Sequence, residues 1–226
     1  MTTLIIKIQI ILMMMVGTTP LLNFPTQETF EKEVALKNGQ AVKLELKFAD
    51  QITIKTWDKK TLYVKAIVDH NFKEKLEFEL LEVNESSMVE IEEKIKNFEN
   101  KKQTNIGKDH NDLECIKIDI DYEVFMPADT RLDINSISGN IEAKNMNNSL
   151  NLETISGFVD ISINSSDKYD LKCSTISGSI YTDITFDSEK NIKANIVGST
   201  LNTSLNGTGK KINLKTISGD LFIRKR

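Results

Sequence analysis

The chain has 226 residues, of which 39% are hydrophobic and 27% are charged, and its formal net charge is −4. This length allows one large domain or two small ones with a buried core, and the composition excludes a disordered chain. The basic residues at 224–226 form the one dense basic run in the sequence, so the charge pattern gives no indication of a nucleic-acid partner.

The first predicted element is an apolar segment at the N-terminus. One early lysine precedes an uninterrupted apolar run over residues 10–16, and small and turn-forming residues follow. This order is typical of a signal peptide, which we predict over residues 1–19 with cleavage near Gly17 or Thr19. The alternative is a buried strand or short helix, because the run is too short to span a bilayer as a helix. A signal peptide predicts export to the periplasm, the cell surface or the medium, with membrane contact only through this leader.

Residues 28–126 predict a succession of β-strands. Apolar and polar residues alternate with a period of two over 41–48, 52–57, 61–68 and 115–127, where the pattern stops at a proline. The sequence over 97–112 is polar and has no periodicity. It predicts a long loop, either a functional one or a disordered insertion.

Residues 127–226 carry a sequence repeat. A Ser/Thr-Ile-Ser-Gly motif or a variant of it recurs at nearly regular intervals, with its glycine at Gly139, Gly157, Gly178, Gly198 and Gly219. A period of about twenty residues predicts stacked units that bury their apolar faces against their neighbours.

The apolar positions within each unit change face at the motif. In the first unit Leu132 and Ile134 share even parity, whereas Ile141 and Ala143 are odd, so the chain must bend or bulge between them. We place the slip directly before the isoleucine. This predicts an interior ladder of isoleucines, at Ile137, Ile155, Ile176, Ile196 and Ile217. The fourth unit departs from the pattern, because its apolar positions stay in phase up to the glycine.

The motif's serines and glycines are predicted to form the coil corners. The serines would make a hydroxyl ladder that satisfies corner backbone groups, at Ser138, Ser156, Ser177 and Ser218. The glycines would allow close backbone approach. We therefore predict an all-β protein, a parallel β-solenoid with coils of about twenty residues that continues the N-terminal β-rich part. Its last coil would leave an exposed strand edge, which the basic residues 224–226 would protect.

Acidic side chains supply one candidate site for chemistry. Asp119, Asp121 and Glu123 lie on the same predicted outward face of a strand and could bind Ca²⁺. Together with Asp133 they could act as the carboxylates of a glycoside hydrolase. Alternation alone also predicts a charged solvent face at these positions, and we favour that interpretation.

The remaining reactive side chains have structural interpretations. Two histidines, His70 and His110, offer little to a histidine-centred site. Cys173 takes a repeat position otherwise held by apolar residues and Cys115 begins a strand, so both are predicted core residues rather than a disulfide framework. Trp57 is either a sugar-stacking platform or, as is more common at the end of an apolar strand, buried. We predict no catalytic residue, metal or cofactor.

Three features together resemble a known family. They are the segment FADQITIKTWDKKTLYVKAIV (48–68), the segment YEVFMPADTRLDINSISGNIEA (122–143) and the TISG coils that follow. These features resemble the "putative adhesin" domains of exported bacterial proteins, first catalogued as a domain of unknown function, over about residues 31–226. The resemblance implies a right-handed β-solenoid, export and a role at the cell surface.

The predicted function follows from the repeat and the resemblance together. We expect an exported, non-enzymatic, adhesin-like binding module of the cell envelope or surface, with a glycan, a matrix component or an envelope protein as its partner. Two alternatives stay open. One is a polysaccharide-processing β-helix enzyme, and the other is an envelope scaffold or signalling protein with a protein partner.

Overall fold

The computed structural model describes residues 26–71, 76–96, 117–187, 192–194 and 198–226, with the backbone alone for 192–194. The predicted signal peptide, the polar loop at 97–112, His110, Cys115 and Ile196 lie outside these residues. The described chain consists of β-strands joined by turns, so the all-β prediction is confirmed. Within these ranges, no helix has the length and apolar character needed to cross a membrane.

The strands are numbered in chain order. They are β1 (Thr26–Ala35), β2 (Ala41–Glu45), β3 (Gln51–Trp57), β4 (Thr61–His70), β5 (Phe78–Asn84), β6 (Met88–Ile95), β7 (Ile118–Pro127), β8 (Leu132–Asn135), β9 (Asn140–Lys144), β10 (Leu150–Ser156), β11 (Val159–Ile163), β12 (Tyr169–Ser177), β13 (Ile180–Thr182), β14 (Ile192–Ala194), β15 (Ser199–Leu205), β16 (Lys210–Ser218) and β17 (Leu221–Lys225).

These strands form two mixed sheets around one core. The eight-stranded sheet has the order β1-β4-β7-β3-β9-β11-β17-β13, and the nine-stranded sheet has the order β14-β15-β12-β16-β10-β8-β2-β6-β5. Buried and more exposed residues alternate along the strands, as in β4. The buried apolar side chains of both sheets belong to one cluster. Each sheet therefore turns one apolar face inward and one polar face outward.

Five segments pass from the nine-stranded sheet into the eight-stranded sheet, and we call each a coil. They are β2–β3, β8–β9, β10–β11, β12–β13 and β16–β17, and they pair with their neighbours in parallel. β6 and β7 hold the equivalent places beside β2 and β3. Parallel, in-register pairing stacks equivalent residues of the repeat, for example Leu152 between Ile134 and Leu214.

The stack does not follow chain order, which corrects the prediction of consecutive coils. β16–β17 lies between β10–β11 and β12–β13. The pairing of β12 accounts for this order. One edge of β12 pairs with β15 in the antiparallel direction, and its other edge pairs with β16 in the parallel direction. The fourth repeat unit, around Gly198, is therefore part of an antiparallel hairpin and not a further coil corner.

The predicted exposed edge at the last coil is wrong. β17 is an interior strand with β11 on one side and β13 on the other, so residues 224–226 do not protect a sheet edge. Antiparallel strands flank the parallel coils instead, with β4 and β1 at one end of the eight-stranded sheet and β15 and β14 at one end of the nine-stranded sheet. The other end of the eight-stranded sheet is β13, which has three residues, and very short edge strands limit open-ended pairing between molecules.

Cys173 is a core residue, as predicted. It lies in the inward column that also contains Leu214, Leu152, Ile134 and Leu44, and its side chain is buried and free of a disulfide. Burial raises the pKa of its thiol to about 12. Each large aliphatic side chain of such a column contributes about 1.5–3 kcal/mol through burial.

Candidate functional site at the coil corners

The corners of the coils differ from the prediction in which residue points inward. Ser136, Thr154, Thr175 and Thr216 are buried, with at most 7% exposure. The isoleucines that follow them are 40–51% exposed, at Ile137, Ile155, Ile176 and Ile217. The predicted interior isoleucine ladder is therefore wrong. The alternation of buried and exposed residues along the strand continues up to the hydroxyl residue, which is buried. The isoleucine and the serine that follow it are both exposed, and the chain then returns to the core.

The buried hydroxyls link neighbouring coils. Each corner threonine donates a hydrogen bond to the glycine carbonyl of the adjacent coil, in the pairs Thr154–Gly139 (3.0 Å), Thr216–Gly157 (3.0 Å) and Thr175–Gly219 (2.8 Å). In the first of these corners Ser136 Oγ instead accepts from its own Gly139 N–H at 3.0 Å. These bonds explain why a polar residue occupies a buried position, because they satisfy backbone groups where strand pairing is interrupted.

The corner glycines allow backbones to meet. A Cβ on Gly219 would lie 2.0 Å from the carbonyl oxygen of Gly157, and a Cβ on Gly178 would lie 2.0 Å from that of Gly219. At Gly139 the closest contacts are looser, at 2.9 Å from Ser136 Oγ. Any side chain larger than hydrogen would separate the coils at these points.

The motif's serines form an exposed row beside the isoleucines, at Ser138, Ser156, Ser177 and Ser218. Ser138 Oγ donates to the carbonyl of Ala49 at 3.0 Å, which joins the β8–β9 corner to the β2–β3 corner. The backbone groups of this row help to pair the coils, as in the bond from Gly157 N to Ser218 O. The hydroxyl role that we predicted for the serines is carried at the other corners by the buried threonines.

The four exposed isoleucines form a continuous apolar row, which we name the isoleucine ridge. In stack order it consists of Ile137, Ile155, Ile217 and Ile176, because these residues occupy equivalent places in coils that pair in register. Parallel strands are spaced by about 4.8 Å, so the ridge is about 14 Å long. Its flanks are polar, with the serine row on one side and an outward column on the other that includes a Lys215–Glu153 ion pair at 3.1 Å.

The carboxylates predicted as a possible catalytic group are not brought together. Asp119 and Asp121 lie on β7 in the eight-stranded sheet, whereas Asp133 lies on β8 in the nine-stranded sheet and accepts a hydrogen bond from Asn151 at 3.0 Å. Glu123 forms an ion pair with Lys55 at 2.9 Å, which lowers its pKa. The two sheets face each other through the core, so these outward carboxylates lie on opposite surfaces of the protein.

Other aspartates surround Asp121. Asp119 lies opposite Asp69 in the β4–β7 pairing, and Asp50 Oδ2 accepts from Ile120 N–H at 2.8 Å. Partial burial and the negative charges of Asp50, Asp69 and Asp119 raise the pKa of Asp121. In the described part of the chain, no three His, Cys, Asp or Glu side chains are placed to hold a metal ion.

His70 and Trp57 take structural positions. His70 is buried at the end of β4, where its Nε2 lies 3.1 Å from Glu28 Oε1. Trp57 is half-buried on the outward face of the eight-stranded sheet, and its Nε1 donates to the Thr61 carbonyl at 2.9 Å. Its ring packs against Phe125 at a centroid distance of 5.4 Å, and the Lys59 ammonium lies 4.6 Å from the ring centre. Sugar stacking on Trp57 would have to displace that lysine.

Glu93 is a buried carboxylate that sequence reasoning missed. It lies in the corner column beside Leu46, is 4% exposed, and accepts hydrogen bonds from Phe48 N–H and Tyr122 Oη, each at 2.5 Å. Burial raises the pKa of Glu93, and burial together with the Glu93 charge raises that of Tyr122. Since β6 and β7 belong to different sheets, this pair ties the sheets together through the core. The sequence did contain an indication of this buried position, because Glu93 continues the inward-facing series Val89 and Ile91 along β6.

The fold and the coil corners together define the class of protein. It is an all-β protein built from stacked repeats, with a row of exposed isoleucines along the coil corners. The chain belongs to the Toastrack DUF4097 family, whose model matches residues 29–224, and the predicted resemblance is confirmed. No curated protein matches the chain significantly.

Three solved structures are similar to the chain to different degrees. A "putative cell adhesion protein" from Clostridium sporogenes is similar with a TM-score of 0.53 and 14% identity, covering 90% of this chain and 100% of that one. A "putative adhesin" from Bacteroides fragilis has a TM-score of 0.20 at 10% identity, covering 89% and 99%. Another, from Parabacteroides distasonis, has a TM-score of 0.23 at 8% identity, covering 88% and 97%. At these identities the likeness to the Clostridium protein concerns the fold.

Proposed function

We propose that this chain is an exported, non-enzymatic, adhesin-like binding module of the cell envelope or surface that contacts a protein partner through the isoleucine ridge. The observation that carries the proposal is the same exposed apolar residue in four coils, at 40–51% exposure. Single exposed apolar residues are common, but these four occupy equivalent places in coils that pair in register, so they form a contiguous row. Contiguous apolar residues rimmed by polar ones are typical of interaction surfaces.

The shape of the ridge favours a protein partner. It is one residue wide, and serines and charged side chains border it, so it offers no broad apolar area to a lipid surface. A narrow apolar row with a polar rim matches the apolar core and polar rim of protein interfaces. The rigid stack holds the four side chains in fixed positions, which lowers the entropic cost of binding.

Adhesion as the class of function draws on the name of the Clostridium sporogenes protein, and export draws on the predicted signal peptide. Right-handed winding and coils of about twenty residues belong to the same proposal. The in-register pairing of Leu132 with Leu150, its equivalent in the next repeat unit, supports that coil length. The separation of Asp133 from Asp119 and Asp121 favours a binding module over a glycoside hydrolase.

A pair of matched variants tests the ridge. Ile155→Ser with Ile217→Ser removes its centre, and Val83→Ser removes an equally exposed apolar side chain, 52% exposed, on β5. The purified full chain would be titrated against fibronectin, laminin and collagen by surface plasmon resonance. We expect at least one to bind and the ridge variant to lose about ten-fold in affinity, while Val83→Ser keeps it. Equal binding by the ridge variant would refute the proposal.

Localisation is tested separately. A tagged copy should appear in the envelope or the medium after fractionation and be cleaved by protease added to intact cells if it reaches the surface. Retention in the cytoplasm would contradict export. A blank matrix panel, together with a single envelope protein that binds the unmodified chain and the ridge variant equally, would favour the scaffold alternative.

A further inference from the structure

The outward face of the eight-stranded sheet carries a second candidate surface, whose Tyr181 and Phe222 each follow a ridge isoleucine by five residues. Phe222 on β17 pairs across the sheet with Tyr181 on β13, and their rings stack at a centroid distance of 5.2 Å with an interplanar angle of 14°. Phe158 meets Phe222 edge to face at 6.1 Å. Tyr181 is 51% exposed although one face of its ring covers Phe222. The platform therefore presents an accessible aromatic face at the edge strand of the sheet.

Polar groups surround this platform. A shallow depression of about 210 Å³ is lined by Tyr181, Thr182, Asp183, Phe222, Ile223 and Arg224. Arg224 Nε lies 2.9 Å from both carboxylate oxygens of Asp160, and its guanidinium carbon lies 5.1 Å from the centre of the Phe222 ring. This contact fixes the guanidinium plane beside the aromatic stack, with the remaining N–H donors on its terminal amino groups. Asp183 supplies carboxylate acceptors and is held by Lys225 N–H at 2.6 Å.

We propose that Tyr181, Phe222, Asp183 and Arg224 form a binding site for one ring of a neutral glycan. An aromatic face has a negative potential that attracts the polarised C–H groups on one side of a pyranose. A carboxylate and a guanidinium at its margin can accept from and donate to neighbouring sugar hydroxyls. The depression is smaller than the roughly 300–1,000 Å³ of sites for drug-sized ligands, which suits a single ring.

The charges disfavour an anionic ligand. The outward column across this face contains Lys144, Ser162 and Arg224. Both cations are already held by carboxylates, Arg224 by Asp160 at 2.9 Å and Lys144 by Glu142 at 3.0 Å. Asp183 adds a further negative charge at the depression. A sulfated or phosphorylated ligand would meet that carboxylate without an unengaged cation of this column to balance it.

The other aromatic group on the same face has cations over two of its three rings. Trp57, Tyr63 and Phe125 pack together with interplanar angles of 33–53°. The ammonium groups of Lys59 and Lys55 lie over the rings of Trp57 and Phe125, at 4.6 and 5.3 Å. The Tyr181 platform is therefore the better candidate of the two for sugar stacking.

The test is a titration of the full ¹⁵N-labelled chain with cellohexaose, chitohexaose and a heparin hexasaccharide, followed by amide NMR shifts. We expect at least one neutral hexasaccharide to shift residues 181–183 and 222–224 with a dissociation constant of about 1 mM. Tyr181→Ala should weaken that binding about ten-fold, and Asp183→Asn, which keeps an acceptor for Lys225 N–H, about three-fold.

The control is Ile217→Ser, which alters the ridge alone and should bind the sugar as the unmodified chain does. Far-ultraviolet circular dichroism and the amide spectrum verify that each variant is folded. The proposal is overturned if neither neutral glycan shifts these residues at about 10 mM, if heparin alone does so, or if Tyr181→Ala leaves binding unchanged. Since the ridge is not involved, failure here leaves the protein-binding proposal intact, and the reverse also holds.

Discussion

Replacing Thr216 with valine removes a buried hydroxyl while it keeps the size and β-branching of the side chain. Thr216 is 1% exposed, and its Oγ1 donates to the Gly157 carbonyl at 3.0 Å. The valine cannot donate, so the carbonyl loses this partner at a place where the glycine approach excludes other groups. Loss of a partner by a buried polar group costs about 1–3 kcal/mol.

The free energy of unfolding of Thr216→Val should therefore fall by that amount, measured by urea denaturation with an unchanged m-value. For a chain of this size the melting temperature should fall by on the order of 5 °C. Ser218→Ala is the matched control, because Ser218 is close by in the same corner and points outward. It should change stability by less than about 0.5 kcal/mol. Equal stability of Thr216→Val and the unmodified chain would refute the inferred role of the corner hydroxyls.

Three further predictions concern buried groups. Gly219→Ala should destabilise the fold by about 3 kcal/mol or more, and by more than Gly139→Ala in the same urea assay, because its Cβ meets a carbonyl at 2.0 Å rather than a hydroxyl at 2.9 Å. Burial raises the pKa of Glu93 in the folded state. Its contribution to the free energy of unfolding is therefore complete below the unfolded-state pKa and is lost as the pH rises through the folded-state pKa. The stability of Glu93→Gln relative to the unmodified chain should therefore grow as pH rises above about 4; a constant difference would contradict this. In a Cys115→Ser background, iodoacetamide should label Cys173 only as fast as the chain unfolds, as followed by mass spectrometry, because the buried thiol has a pKa of about 12.

Periodicity predicted the strands but not the side that the isoleucines face. At each corner a hydroxyl residue and an isoleucine compete for one inward position, and hydropathy favours isoleucine. At three of the four corners the backbone decides otherwise, because the carbonyl of the adjacent glycine needs a donor and only the threonine can supply one. The sequence feature that could have indicated the inward position is the serine or threonine that recurs directly before each isoleucine.

The order of the coils could not be predicted from their sequences. The four coils from β8–β9 onward carry the same motif, so β16 would bury the same columns beside β12 on either edge. The position of β15 determines which edge β16 takes. The one sequence feature that indicated this position is the fourth repeat unit, whose apolar residues do not change face before the glycine as they do in the other units. The sugar platform was missed for a related reason, because Tyr181 and Phe222 belong to different repeat units and meet only through this order.

The place of β16 and β17 in the stack has a consequence for how the protein folds. β10 and β12 each expose an unsatisfied edge until β16 arrives, and its partners there, such as Leu150 and Leu171, lie far earlier in the chain. Closing such long loops is slow, so the two halves of the array remain unjoined until late in folding. The segment β16–β17 therefore joins the two parts of the stack. A chain that ends before Lys210 would lose an interior layer rather than an edge, and β12 and β13 would lose the parallel partners that join them to the other coils.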